Sequence, residues 1–337
     1  MRRKYESRST AIDVARGIAA ILMLIGHLEL NARVDQFIYS FHMPLFFIIS
    51  GMTMKAEENL PAYIRKRIRR ILVPYIVFAL IFTDLKYVNW LYCLYGSSRG
   101  LSAAESLTSL WFLPCLFCAD LVFHLILRVC GDERTMIPAV IACAAAGISI
   151  TWFLTPVHNL PFSFDIALAA VPFLMIGHLL RKHVGRVRKY AEKTHVNLMA
   201  AVLMLGAVSV LCFLNLPPSS SAGEPHVEMA IGSYGNLFLF YFTAVLGSFA
   251  VILIAKAAGH KLKMIEYFGR CTITCLVIHR SVFALLLRVG LWLNLNASVI
   301  TAMELVMTIV ITFIAETVIE RYAPNLIGLT EQPQFSE

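Results

Sequence analysis

The sequence predicts an all-α, polytopic membrane protein of about ten transmembrane helices, with both termini in the cytoplasm. Three observations predict it. Of its 337 residues, 58% are hydrophobic and 15% charged, with a mean hydropathy of +0.72; a soluble domain carries about 45–50% apolar and about 25% charged residues. Apolar segments of spanning length recur along the whole chain. The Lys and Arg residues divide by side as the positive-inside rule requires.

The segments fall near 12–30, 37–54, 71–93, 107–130, 136–154, 165–181, 197–214, 234–257, 268–289 and 298–320. The first follows Arg2-Arg3-Lys4 in the manner of a signal peptide. It contains Arg16 and ends without a small-x-small cleavage site, so it is read as a retained helix. The second holds Pro44, expected to break its hydrogen-bond ladder. The third is interrupted by Asp84, Lys86 and Asn89 and is expected to end early, leaving Val88–Tyr95 at the interface. The fourth opens on Trp111-Phe112-Leu113-Pro114 and carries Asp120 and His124 four apart, read as a satisfied structural pair. The Arg181–Lys193 loop is read as a topological signal. Asn215–Ser233, with Pro217-Pro218-Ser219-Ser220-Ser221 and no Lys or Arg, reads as a flexible outer-face loop. The ninth segment carries His279-Arg280 about halfway across. Three regions follow: a basic cytoplasmic N-terminus (1–11), an integral-membrane domain (12–321) and a polar cytoplasmic tail (322–337), with no internal repeat.

With the N-terminus inside, all of the 29 Lys and Arg residues except Arg33, Lys86, Arg99, Arg280 and Arg288 fall on the cytoplasmic side. That placement explains the net charge of +8 without a nucleic-acid partner. The eight cysteines are scattered through apolar segments. Cys115-x-x-Cys118 has no second pair, and it is read as helix packing rather than as a metal or redox site.

Arg16 and His27 lie inside the first apolar run. A guanidinium at mid-membrane costs roughly 2.5–3.5 kcal/mol on insertion scales, which makes an intramembrane ionisable residue a functional candidate by default. The eleven residues between them correspond to about 16 Å of helix, with Arg16 near the cytoplasmic face and His27 towards the outer one. Snorkelling to the headgroups accounts for Arg16 equally well, but not for His27, whose buried imidazole needs hydrogen-bond partners. His42 lies at the outer start of the second segment, at similar depth to His27. In Arg65-Lys66-Arg67-x-Arg69-Arg70, Arg67 and Arg70 are three apart on one helical face, with forked donors suited to phosphate oxygens; a positive-inside signal has the same composition. Arg280 needs a partner, for which Asp84, Asp165 and Glu304 are the candidates. Trp111 is either an interfacial anchor or a stacking surface for a sugar ring, and Asn236 offers donors and acceptors to hydroxyls.

Together these strings resemble acyltransferase family 3, integral-membrane enzymes that modify bacterial surface sugars, over nearly the whole chain. Arg16-x10-His27 is similar to the family's first-helix motif, and Arg67-x-x-Arg70 to its Arg-x-x-Arg motif. Phe41-His42-Met43-Pro44-Leu45-Phe46-Phe47, Trp111-Phe112-Leu113-Pro114, Gly177-His178-Leu179-Leu180 and Tyr267-Phe268-Gly269 running to His279 resemble its fucose 4-O-acetylase-like branch. The resemblance implies acyl-CoA, usually acetyl-CoA, as a cytoplasmic cosubstrate with no permanently bound cofactor. The acceptor it implies is a hydroxyl of a surface glycan or its lipid-linked precursor, and the setting a bacterial cytoplasmic membrane. It makes His27 the catalytic imidazole and gives Arg16, Arg67 and Arg70 donor-side roles. On this reading Arg16, His27 and His42 form the catalytic set, Arg67 and Arg70 bind the donor, and Trp111, Asn236, His279 and Arg280 serve the acceptor. The competing class is a transporter or sensor of a small polar solute. Its mark is a pair of broken helices in matching halves, and Pro44 has no counterpart five helices later.

Overall fold

The computed structural model describes residues 10–28, 30–54, 59–83, 87–154, 159–188, 194–217 and 226–327. The basic N-terminal Arg2, Arg3, Lys4 and Arg8 and the tail from 328 lie outside them, as do Asp84, Lys86 and residues 218–225.

Among the described residues the chain is helical apart from one isolated bridge, Glu228 to Ser233. The helices are α1 (Thr10–Gly26), α2 (Ala32–Tyr39), α3 (His42–Thr53), α4 (Leu60–Arg67), α5 (Val73–Phe82), α6 (Tyr87–Tyr95), α7 (Ser98–Leu101) and α8 (Phe112–Val129). They continue as α9 (Glu133–Leu154), α10 (Phe164–Arg188), α11 (Thr194–Leu211), α12 (Leu237–Ala258), α13 (Lys263–Arg270), α14 (Thr272–Trp292) and α15 (Ala297–Tyr322). Asparagine starts many of them. Asn31, Asn59, Asn236 and Asn296 each accept from a backbone N–H of the first turn of α2, α4, α12 and α15, satisfying donors that have no intrahelical partner.

Seven of these helices (α8–α12, α14 and α15) are long and apolar enough to cross a membrane. Their outward faces are hydrocarbon: Val202 and Leu203 on α11 and Val306 and Ile314 on α15 are all more than half exposed. Such a surface is stable only against lipid. The protein is therefore a polytopic all-α membrane protein.

The first three expected crossings are built differently. The seventeen residues of α1 extend about 26 Å. The second segment is two helices, because the chain turns at Ser40-Phe41 between α2 and α3. Pro44 does not break the ladder there. It occupies the first turn of α3, where its missing N–H has no partner to lose. The third segment belongs to a helix already under way at Leu60, which passes through a π-helical turn at Ile68–Leu72 into α5. It ends at Phe82, early as expected, and a separate α6 follows.

The segment read as a flexible outer-face loop also departs from expectation where it is described. His226–Ser233 packs back on the bundle, with His226, Val227 and Met229 buried. Ser98 donates to Ala230 O, and Arg99 donates to Ile231 O at 3.2 Å. These bonds anchor the segment on α7, and the apolar side chains that sequence composition alone reads as loop are the anchor's core.

The core runs through Val14, Leu24, Phe41, Phe47, Phe123, Phe173, Phe240 and Phe268, all within 2% of full burial. It joins α1 to α3, α12, α13 and α14. The closest approach is between α1 and α13, where a Cβ built on Gly269 would stand 1.8 Å from Asp13 O, and one on Gly17 would stand 2.1 Å from Ile265 O. Only hydrogen fits at these two positions, and they let the two backbones touch. Gly269→Ala is expected to cost about 3 kcal/mol, the upper range for overpacking, read as a lowered Tm of the detergent-solubilised protein; an unchanged Tm would show that the helices part freely.

Candidate functional site

Among the described residues, three of the polar clusters in this apolar bundle involve the residues singled out in the sequence. The first lies at the start of α1. Asp13, 1% exposed, accepts from Arg16 Nη1 at 3.3 Å on one oxygen, and its other oxygen makes an ion-pair contact with Arg270 Nε at 3.6 Å. Arg270 also pairs with Glu266, four residues back on α13, and Glu266 stands 3.6 Å from His260. Arg16 therefore does not simply snorkel. It belongs to a network that uses the close contact of α1 and α13. Beside it opens a cavity of about 270 Å³ lined by His260, Lys263, Glu266, Tyr267 and Arg270.

The second cluster centres on Asp120 of α8, which is fully buried. Ser50 Oγ of α3 donates to Asp120 Oδ1 at 2.8 Å, and Arg67 Nη2 reaches Oδ2 at 3.2 Å. Arg67 Nε donates to the Tyr63 hydroxyl at 3.2 Å, and Tyr63 stacks on His124 with centroids 3.8 Å apart. The expected Asp120–His124 pair is thus replaced. Both residues lie on the same face of α8, but a guanidinium from α4 is the stronger partner for the carboxylate, and His124 takes the aromatic ring. Arg67 and Arg70 also do not share a face as expected. Arg67 is turned into this cluster with 16% of its side chain exposed, whereas Arg70 is exposed. The reason is local: Arg70 sits in the π-helical turn, which advances the chain by less rotation per residue than the α-helix assumed from the spacing.

The third cluster gathers the imidazoles. His27 follows the last residue of α1, and its ring stacks on His279 of α14 at 5.1 Å with planes 22° apart. The Tyr39 hydroxyl lies 3.3 Å from His27 Nδ1 and donates to Gly26 O at 3.3 Å. Tyr39 also meets His42 at 4.9 Å and His226 at 4.6 Å between centroids. His42 Nδ1 faces Ile38 O at 2.9 Å, and His279 Nδ1 faces Cys275 O and Leu276 O at 3.1 and 3.0 Å. A carbonyl only accepts, so both Nδ1 atoms carry a proton, and in the neutral ring Nε2 is the lone-pair nitrogen. His279 is completely buried, and its Nε2 has no hydrogen-bond partner. Arg280 lies within electrostatic range of His27 and His279.

The expected carboxylate partner of Arg280 is not found among the described residues. Asp165 is taken by Thr151 at 3.2 Å, Asn159 at 2.8 Å and Leu160 N–H at 3.2 Å. No ion pair joins Arg280 to Glu304, and Asp84 lies outside the described residues. Arg280 Nε is buried without a hydrogen-bond partner.

Two expected acceptor residues take on structural detail. Trp111 is 6% exposed and packs in the core against Phe112 at 6.1 Å, so it is no interfacial anchor facing lipid. Asn236 is exposed, and its Oδ1 is occupied as the N-cap of α12, accepting from Leu239 N at 3.1 Å. Sequence reasoning missed Tyr39, His226 and the Asp13–Arg270 and Arg67–Asp120 pairs. Tyr39 alone had a signal, three residues before His42.

With this geometry in place, the comparisons with known proteins are specific. A family model described as an acyltransferase domain (Acyl_transf_3) matches residues 9–321. Nodulation protein NolL of Mesorhizobium japonicum is 23% identical over 346 residues, spanning 92% of this chain and 86% of that protein. No solved structure matches the chain.

Proposed function

Since the chain belongs to this membrane acyltransferase family, we propose that it is an O-acyltransferase of a bacterial cytoplasmic membrane. It moves an acyl group, foremost acetyl, from cytoplasmic acyl-CoA to a hydroxyl of a surface-glycan sugar or its lipid-linked precursor. The observation that carries this reading is the double-ended α1. The helix carries Arg16 in the ion-pair network at one end and delivers His27 into the imidazole cluster at the other, about 16 Å apart along its axis.

The coenzyme A phosphates lie at the cytoplasmic end, where Arg16, Arg70, Lys263 and the cavity beside Arg270 supply positive charge. The acyl-pantetheine arm extends between the helices towards His27. Neutral His27 takes the proton of the acceptor hydroxyl as its oxygen attacks the thioester carbonyl. The C–S bond breaks as the tetrahedral intermediate collapses, and the departing thiolate recovers the proton from the imidazolium. General-base help of this kind supplies about 10²–10⁴ in rate. The remainder comes from alignment of the two substrates and from charge near the developing oxyanion, a role for which Arg280 is the candidate cation because it acts electrostatically on His27 and His279.

Purified protein supplied with labelled acetyl-CoA and candidate glycans tests the reading. Transfer of label to a glycan supports it, and label recovered only as acetate or unreacted donor overturns it. A second expectation concerns the acceptor face. Asn236→Ala loses the cap of α12 and about 1 kcal/mol of stability, whereas Asn236→Asp keeps the cap and loses the amide donors. Asn236→Asp is therefore expected to raise the acceptor KM at unchanged Tm and donor affinity. An unchanged KM in that variant would reduce Asn236 to a cap.

A further inference from the structure

We propose that Tyr39 is a positioning residue for the transfer: its hydroxyl fixes the tautomer of His27, so that Nε2 is the nitrogen that takes the proton of the acceptor. This proposal rests on the acyltransferase reading and on His27 as its general base.

One hydroxyl serves two neighbours here. Tyr39 Oη lies 3.3 Å from Gly26 O and 3.3 Å from His27 Nδ1. The hydroxyl has a single proton, and a carbonyl can only accept. Both contacts are made at once only when the hydroxyl donates to Gly26 O and accepts from Nδ1–H. The lone pair of the neutral ring is then on Nε2, as a base at that nitrogen requires. The opposite tautomer would draw the tyrosine proton to Nδ1 and leave Gly26 O without it.

The far end of this chain is also suited to the charge that develops. Gly26 is the last residue of α1, so its carbonyl is one of the four that the helix ladder leaves open, at the negative end of the helix dipole. Nδ1–H, the tyrosine hydroxyl and Gly26 O are therefore polarised in one direction. When the acceptor O–H bond breaks and its proton passes to Nε2, the ring becomes an imidazolium, and a hydrogen bond from a charged donor is the stronger one. At 3.3 Å both bonds are long and have room to tighten at that moment. No proton leaves Nδ1 or Tyr39. The proton on Nε2 goes on to the departing thiolate, and the resting tautomer is restored.

The surroundings hold the tyrosine in this place. Tyr39 is the last residue of α2, and its ring meets His42 at 4.9 Å and His226 at 4.6 Å. His42 Nδ1 is already directed at Ile38 O, so His42 acts here as a wall for the ring. A Cβ built on Gly26 would stand 3.1 Å from Tyr39 Cε2; glycine at the end of α1 is what lets the ring lie so close to the carbonyl.

The test uses the full-length protein in lipid bilayers, labelled with ¹⁵N at histidine, with His27→Gln identifying the His27 signals among those of the ten histidines. At a pH where the ring is neutral, solid-state NMR of the parent protein is expected to show the proton on Nδ1. Tyr39→Phe keeps the ring and removes the hydroxyl, and it should give a mixture of both tautomers. Its kcat should fall about 10–100-fold, the size of one hydrogen bond to a charged group, with both KM values and Tm unchanged. A parent protein with the proton on Nε2 would overturn the proposal without any variant. So would a Tyr39→Phe protein with an unaltered tautomer, whether its kcat is normal or falls together with Tm, the last being a purely structural role. The NMR readout needs no turnover. A tautomer that Tyr39→Phe disturbs, in a protein that transfers no acyl group, would leave the Tyr39–His27 contact standing and remove the enzymatic reading instead.

Discussion

His27→Ala is expected to reduce acyl transfer by at least about 10²–10⁴-fold, the share a positioned general base supplies, and to abolish it if His27 itself carries the acyl group. The fold should survive. His27 lies just past the last residue of α1, half-buried, and its side chain contributes a stack on His279 and an edge contact to Tyr39 rather than a place in the apolar core. The loss should therefore appear in kcat, with membrane insertion, Tm and coenzyme A affinity close to those of the parent. His279→Ala is the matching control for cluster integrity, because it removes the other half of the stack. Turnover of His27→Ala near that of the parent protein would sink the general-base assignment.

Asp120→Asn is expected to be the most destabilising single change outside the imidazole cluster. The carboxylate is fully buried against Arg67 at 3.2 Å and Ser50 at 2.8 Å. Removing one charge of a buried pair costs about 3–5 kcal/mol, because the other is left uncompensated. Arg67→Gln should behave alike. The double variant should recover much of the loss, and the non-additivity of the cycle measures the coupling. Arg70→Gln, exposed on the neighbouring turn, should leave Tm unchanged and weaken coenzyme A binding. An Arg67→Gln protein with normal Tm and weakened coenzyme A binding would overturn this division of labour and make Arg67 a donor ligand.

The sequence made the membrane class and the family legible because both rest on one-dimensional signals, apolar run length and motif spacing. The separation of Arg16 and His27 was legible for the same reason: one helix carries Arg16 and ends one residue short of His27, and its rise per residue is known. What the sequence could not show were pairings between helices distant along the chain. Asp120 was matched with His124 because they are neighbours on one helix, yet the winning partner, Arg67, lies 53 positions away on α4. Tyr39 and His226 were hidden because a tyrosine and a loop histidine are unremarkable until the fold sets Tyr39 beside His27 and packs His226 against Tyr39. Pro44 misled because a proline's effect depends on its distance from the helix start, which was drawn several residues too early.

The π-helical turn at Ile68–Leu72 sets the phase between two halves of one continuous rod. Ahead of it lie Tyr63 and Arg67, aimed at α8; behind it, Tyr75, Phe78 and Ala79 face the core. A π turn accommodates one residue more than an α turn, and each α-helical residue swings the rod by about 100°. The two faces are therefore kept in step by chain length as much as by residue identity. A lineage that lost Ile71 or Leu72 would keep every side chain of the basic motif and still turn the basic face out of step with the core face behind it.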